Sequence, residues 1–183
     1  MKGSLRLAAF VGVLVAQAGI LAGLAVPRLV TWHRGERVVL KLVFPKDPRD
    51  LFRGDYVTLR YEISQLPNDV ATFDPKAAVG KDVYVSLEKG DRFWRAVRCS
   101  LEKPDGLFIK GKLTERWSKE TFSVHYGIEN YFIPEGTGSH VERVLRDNRD
   151  DAGAEIALSS SGEGMLIQLI VKGETLKPGA PKK

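Results

Sequence analysis

A mainly β domain, arranged as a partly closed barrel or sandwich with one short inserted helix, behind one N-terminal transmembrane helix, is the architecture this sequence predicts. Three observations carry it. A stretch of about 20 residues near the N-terminus is uncharged and apolar on every face. Many short segments after it alternate apolar and polar residues with period two. Turn-forming Gly, Pro, Asp and Ser clusters separate those segments at short, regular intervals.

The apolar stretch covers residues 7–26, with Gln17 as its only strongly polar side chain. A helix of that length spans the roughly 30 Å hydrocarbon core of a bilayer. A water-soluble helix would carry a polar face, which this one lacks. A cleaved signal peptide is the rival reading, with Lys2 and Arg6 as its charged leader and Gly23-Leu24-Ala25 as a cleavage site. Signal peptides have apolar stretches of about 7–15 residues, so the longer run favours a retained anchor. The expected organisation is a basic leader at 1–6, an anchor at 7–26, and a juxtamembrane linker at 27–36 opened by Pro27. A β-rich extracytoplasmic domain then follows at 37–174, with a disordered tail at 175–183.

Charge does not settle the orientation. Lys2 and Arg6 precede the helix, while Arg28, Arg34, Arg37 and Lys41 follow it. A short basic leader ahead of the first apolar segment favours the domain outside. Small residues repeat every four positions at Ala8, Gly12 and Ala16, and again at Gly19 and Gly23. Such spacing lets membrane helices approach closely, as self-association or pairing with another membrane protein requires, but small residues are common in any membrane helix.

About 160 residues remain after the anchor, enough to bury a core without disulfides or metal. Strands are expected at 37–44, 55–64, 82–87, 93–101, 107–113, 121–126, 130–133, 154–158 and 165–172. In the second of these, Val57, Leu59, Tyr61 and Ile63 share one face. Pro104-Asp105-Gly106 predicts a hairpin over 92–113. The inserted helix is expected after Ser139, with Glu142 completing a capping box and Val141, Val144 and Leu145 on one face. The single cysteine, Cys99, lies in an alternating strand and reads as buried and inert.

The chain has a net charge of +5 and interleaved acids and bases, without a block of like charge. That pattern argues against nucleic acid as a partner. His33, His125 and His140 lack ligand spacing, so neither a metal nor a cofactor is expected. Nucleophile elbows, Walker loops and Rossmann fingerprints are all missing from the sequence.

Two dense segments remain as candidate sites for a ligand or partner. The first, 47–56, offers Arg49, Arg53, Asp55 and Tyr56. Arginine forks and carboxylates there could brace each other or bind a polar group. Its Arg53-Gly54-Asp55 tripeptide is of a length that chance supplies. The second, 126–136, offers Tyr126, Glu129 and Glu135 between glycines. An acid–base pair would require its carboxylates to be brought close by folding.

Gly54-Asp55-Tyr56-Val57-Thr58-Leu59-Arg60-Tyr61 resembles the motif from which the GDYXXLXY family takes its name. The preceding 47–53 and the later Tyr126-Gly127-Ile128-Glu129, with Phe132, Pro134, Glu135 and Gly136, also resemble that family's blocks. The resemblance implies a bacterial envelope protein on one N-terminal helix, encoded beside multi-spanning membrane proteins. It implies no reaction. A Gly-Asp ahead of an apolar strand is also similar to membrane signal peptidases. The serine their Ser–Lys pair needs is missing, since no serine lies between Ser4 and Ser64. The expectation is therefore a non-enzymatic envelope protein contacting a membrane partner, such as a multi-spanning protein, or a small ligand. The alternatives are an envelope hydrolase using carboxylates such as Asp55 and Glu135, and a ligand-binding domain released by signal cleavage.

Overall fold

The computed structural model describes residues 2–44, 52–53, 56–114, 120–132 and 137–176. Helix α1 (Lys2–Arg34) is followed by β1 (Glu36–Lys41), β2 (Phe52–Arg53), β3 (Tyr56–Thr58) and β4 (Gln65–Pro67). Then come β5 (Asp82–Lys89), β6 (Trp94–Ser100), β7 (Phe108–Leu113), β8 (Thr121–His125) and β9 (Asn130–Phe132). Helix α2 (Gly138–Asp147) precedes β10 (Ala152–Leu158), β11 (Gly164–Val171) and β12 (Glu174–Thr175). The strands form a nine-stranded sheet in the order β12-β11-β10-β1-β6-β5-β7-β8-β4 and a three-stranded sheet in the order β2-β3-β9. The large sheet does not close: β12 and β4 are its edges.

Helix α1 is long and apolar enough over Phe10–Arg34 to cross a membrane, and none of that window is buried against the rest of the chain. Pro27 lies inside the helix, so the expected break into a linker at 27 is corrected: helix continues to Arg34. Proline removes one backbone donor and crowds the carbonyl four residues back. That residue is Gly23, which adds no side-chain bulk. Thr31 Oγ1 donates to the Pro27 carbonyl at 3.0 Å. The helix ends where Gly35 N–H donates to Thr31 O at 2.9 Å and the chain turns directly into β1.

Period-two patterning positions the core. Val38 and Leu40 of β1, Val83 and Val85 of β5, and Ile109 of β7 are fully buried. Val141 and Leu145 of α2 are buried too, on the face their spacing predicts. Leu145 borders Leu42, Val57 and Leu59, so α2 seals the seam between the two sheets. The helix begins at Gly138 with Thr137 as its N-cap. Ser139 and Glu142 therefore lie inside the helix, and Ser139 is not its N-cap.

Two strand expectations are also corrected. Segment 55–64 is not one strand: β3 ends at Thr58, Leu42 bridges Tyr61, and 62–64 form a 3-10 turn. The alternation itself holds, with Val57, Leu59, Tyr61 and Ile63 all buried. The chain keeps its inward face while passing from one sheet to the other. The hairpin expected over 92–113 is likewise absent. β6 and β7 both pair with β5, one on each side. The tight hairpin is β5–β6, where Gly90 N–H donates to Phe93 O at 3.1 Å. Short connections favour such hairpins, whereas the seven residues between β6 and β7 are enough to cross β5.

Cys99 sits in β6 with no exposed surface, and burial pushes its thiol up to about 12. The thiolate is the reactive form. A thiol reagent at pH 8 is expected to leave the folded chain unlabelled and to label it fully in denaturant. Comparable labelling in both conditions would show that β6 opens readily.

Candidate functional site

The two dense segments of the sequence meet. β3 pairs with β9 in antiparallel register, Tyr56 opposite Phe132, Val57 opposite Tyr131 and Thr58 opposite Asn130. β2 adds to the other side of β3, placing Arg53 opposite Tyr56. Of the candidate residues, Arg49, Asp55 and Glu135 lie outside the described residues. Arg53 and Tyr56 are placed by their backbones in the small sheet, and Tyr126 and Glu129 are fully described.

Two tyrosines lock the segments together reciprocally. The Tyr61 hydroxyl donates to the Ile128 carbonyl at 2.6 Å, and the Tyr126 hydroxyl donates to the Ile63 carbonyl at 2.6 Å. Each phenol thus bonds the backbone two residues beyond the other tyrosine. Leu59 N–H adds a bond to Glu129 O at 2.6 Å. Both phenols are held well above their ordinary pKa, chiefly by burial. Glu129 adds a smaller push in each case, and the Cys99 thiol adds one at Tyr126. A buried aromatic ring with a satisfied hydroxyl fits tightly and specifies one geometry.

The turn after β8 is built to present those carbonyls. Gly127 takes φ +77°, a left-handed conformation that glycine adopts without strain. Glu129 folds back so that Oε1 accepts Tyr126 N–H at 2.6 Å. Its buried Oε2 faces His125 Nε2 at 3.1 Å, an ion pair when the imidazole is protonated. Gly111 of β7 lies against this turn, and a β-carbon there would meet Tyr126 Cδ1 at 2.8 Å. Oε1 of Glu129 is thus committed to the turn, and Oε2 has the His125 contact.

Beside the turn, at the foot of α1, lies an open cleft of about 750 Å³. Pro27, Arg28 and Thr31 form one wall, and Lys110, Lys112, His125 and Asn130 contribute to the other. Lys110 Nζ bonds Asp82 Oδ2 at 2.9 Å. That hydrogen bond, and then the ammonium charge, hold the Asp82 carboxyl below its ordinary range. The cleft is assembled from α1, β5, β7, β8, β9 and β11, and sequence reasoning did not find it. The one local signal was the outward pair Lys110 and Lys112 flanking Gly111. Among the described residues, no three His, Cys, Asp or Glu side chains converge as a metal site would require.

The model of the family described as GDYXXLXY protein matches residues 17–169, from within α1 to β11. The chain belongs to the GDYXXLXY family. Comparison with curated proteins and with solved structures gave no match. Of the positions that give the GDYXXLXY family its name, Leu59 and Tyr61 are buried and form the seam just described. Their work is to join β3 to the turn after β8.

Proposed function

We propose that this GDYXXLXY protein is a single-pass protein of the cytoplasmic membrane. Its β domain lies on the extracytoplasmic side and serves as an interaction module for another membrane protein. One observation carries the reading: Phe10–Arg34 is a helix long and apolar enough to cross a membrane, and its residues 10–30 are all exposed. Val15, Leu21 and Leu24 are each about two-thirds exposed. Such a surface is stable only in lipid or against a partner, because water disfavours large contiguous apolar patches. Gly12, Gly19 and Gly23 leave open space along it, room for a neighbouring helix to approach.

The β domain supports a binding role over a hydrolytic one. The Glu129 carboxylate of the second block is held in the turn, while the cleft at the foot of α1 stands open. Photo-crosslinking residues placed at Gly12, Gly19 and Gly23 in intact cells test the proposal. A discrete adduct that reappears on copurification in mild detergent is the expected result. Recovery of the chain alone, uncrosslinked at all three positions, overturns it.

A further inference from the structure

We propose that the cleft at the foot of α1 seats the headgroup of an anionic phospholipid of the bilayer that α1 crosses. The proposal rests on the membrane-spanning reading above and adds a ligand to it.

Position is the first argument. A 33-residue helix rises about 50 Å, against a hydrocarbon core of roughly 30 Å. The uncharged run ends at Val26, and the remaining eight residues project by about 12 Å. The β domain packs back along that projection through β10 and β11. Its cleft reaches Pro27 and Arg28, the residues immediately after the uncharged run. The cleft therefore opens at the depth of the lipid headgroups.

Charge is the second argument. Among the described residues Lys110 bonds Asp82 at 2.9 Å, Lys112 lies opposite the same carboxylate and acts on it by charge alone, and Arg28 makes no ion pair. Glu163 is the other carboxylate on the lining. The lining carries three fixed cations against two carboxylates, one cation in excess, with Arg28 and Lys112 on opposite walls. Arginine and lysine both bind phosphate oxygens, arginine with a fork. The helix terminus does not oppose an anion strongly, because Arg37 Nη2 donates to the Trp32 carbonyl at 2.7 Å. Phe132, 77% exposed, and half-buried Leu166 line the same cleft. They offer apolar contact for the glycerol and upper acyl carbons, which a free phosphate ion would not use.

The test uses the full chain reconstituted in nanodiscs of phosphatidylcholine, alone or mixed with phosphatidylglycerol. Lipids retained after extraction into detergent are identified by native mass spectrometry. Retention of phosphatidylglycerol over phosphatidylcholine is expected, weakening as salt is raised. Arg28→Gln and Lys112→Gln are each expected to lower that preference about fivefold. The charge-conserving pair Arg28→Lys with Lys112→Arg keeps most of it. Inorganic phosphate added to the detergent-solubilised chain is expected not to displace the lipid. Equal retention of the two lipids, retention unchanged by the glutamine variants, or displacement by phosphate overturns the proposal. A chain that fails to enter nanodiscs at all overturns the membrane-spanning reading, and this proposal with it.

Discussion

Tyr61→Phe is expected to destabilise the β domain by about 1–3 kcal/mol, with Tyr126→Phe similar, because each leaves a buried carbonyl without its phenol donor. The rings remain, so packing is unchanged and the loss reports the hydroxyl alone. Tyr61 is 1% exposed, and water cannot readily replace the missing donor at the Ile128 carbonyl. For a domain of this size each kilocalorie lowers Tm by about 4 °C. Both bonds join the same two segments, so breaking one loosens the other. The double variant is therefore expected to cost less than the sum of the singles, as residues sharing one contact network do. Thermal unfolding of the full chain in detergent, followed through the β signal, measures all three. Unchanged Tm in both single variants would show that the two hydroxyls do not hold the seam.

The same pair makes the fold sensitive to alkali. Both phenols have folded-state pKa values raised above the ordinary value of 10.0. A raised pKa on an acid means that folding favours the neutral form. The associated stability is complete below pH 10, where the unfolded phenols are also neutral, and falls as pH rises beyond it. The wild-type chain is expected to lose stability progressively above pH 10. The double phenylalanine variant, starting lower, is expected to lose less over the same range.

These residues show how much of the fold was legible in the sequence. Period-two alternation marked Val57, Leu59, Tyr61 and Ile63 as one buried face, and the structure buries all four. It could not show that the backbone leaves its strand after Thr58, because alternation records which side chains point inward, not which partner the strand has. Strand order was hidden for a related reason. The turn residues at 104–106 mark a break between two strands but not a hairpin, because β6 and β7 both run antiparallel to β5, which lies between them, and so run parallel to each other. Pro27 was read as a stop because a lone proline breaks helices in water. Here α1 runs through it to Arg34. The two candidate segments do meet, but the part of their junction that is fully described is a hydrogen-bonded seam. The cleft beside it gathers Arg28, Asp82, Lys110, Lys112 and Glu163 from four separated stretches of chain, and no local pattern predicts such a gathering.

Arginines at Leu14 and Leu21 together are expected to release the chain from the membrane. Both side chains are exposed along α1, 48% and 67%, and would meet lipid if the helix spans a bilayer. Near the centre of a span each arginine costs about 2.5–3.5 kcal/mol on an insertion scale, where each leucine it replaces contributes favourably. Arginine is a good helix former, so α1 itself is not broken by the change. The β domain should be spared as well, since none of the apolar window is buried against it. Alkaline carbonate extraction of cells expressing each variant gives the measurement. Wild type is expected in the pellet and the double arginine variant mostly in the supernatant. A Leu14→Ala, Leu21→Ala control keeps the span apolar and is expected to stay in the pellet. Retention of the arginine variant, despite a loss of order 5–7 kcal/mol, would mean that α1 is held by a protein surface rather than by lipid. Release of the alanine control would mean that the wild-type helix was never stably inserted. The two leucines lie seven residues apart, two helical turns, so they share one face of the helix. Moving the pair to Gly12 and Gly19, which lie on the opposite face of the helix, therefore asks whether every face sees lipid. Equal release from both faces is expected of a lone span, and unequal release would locate the face that a partner covers.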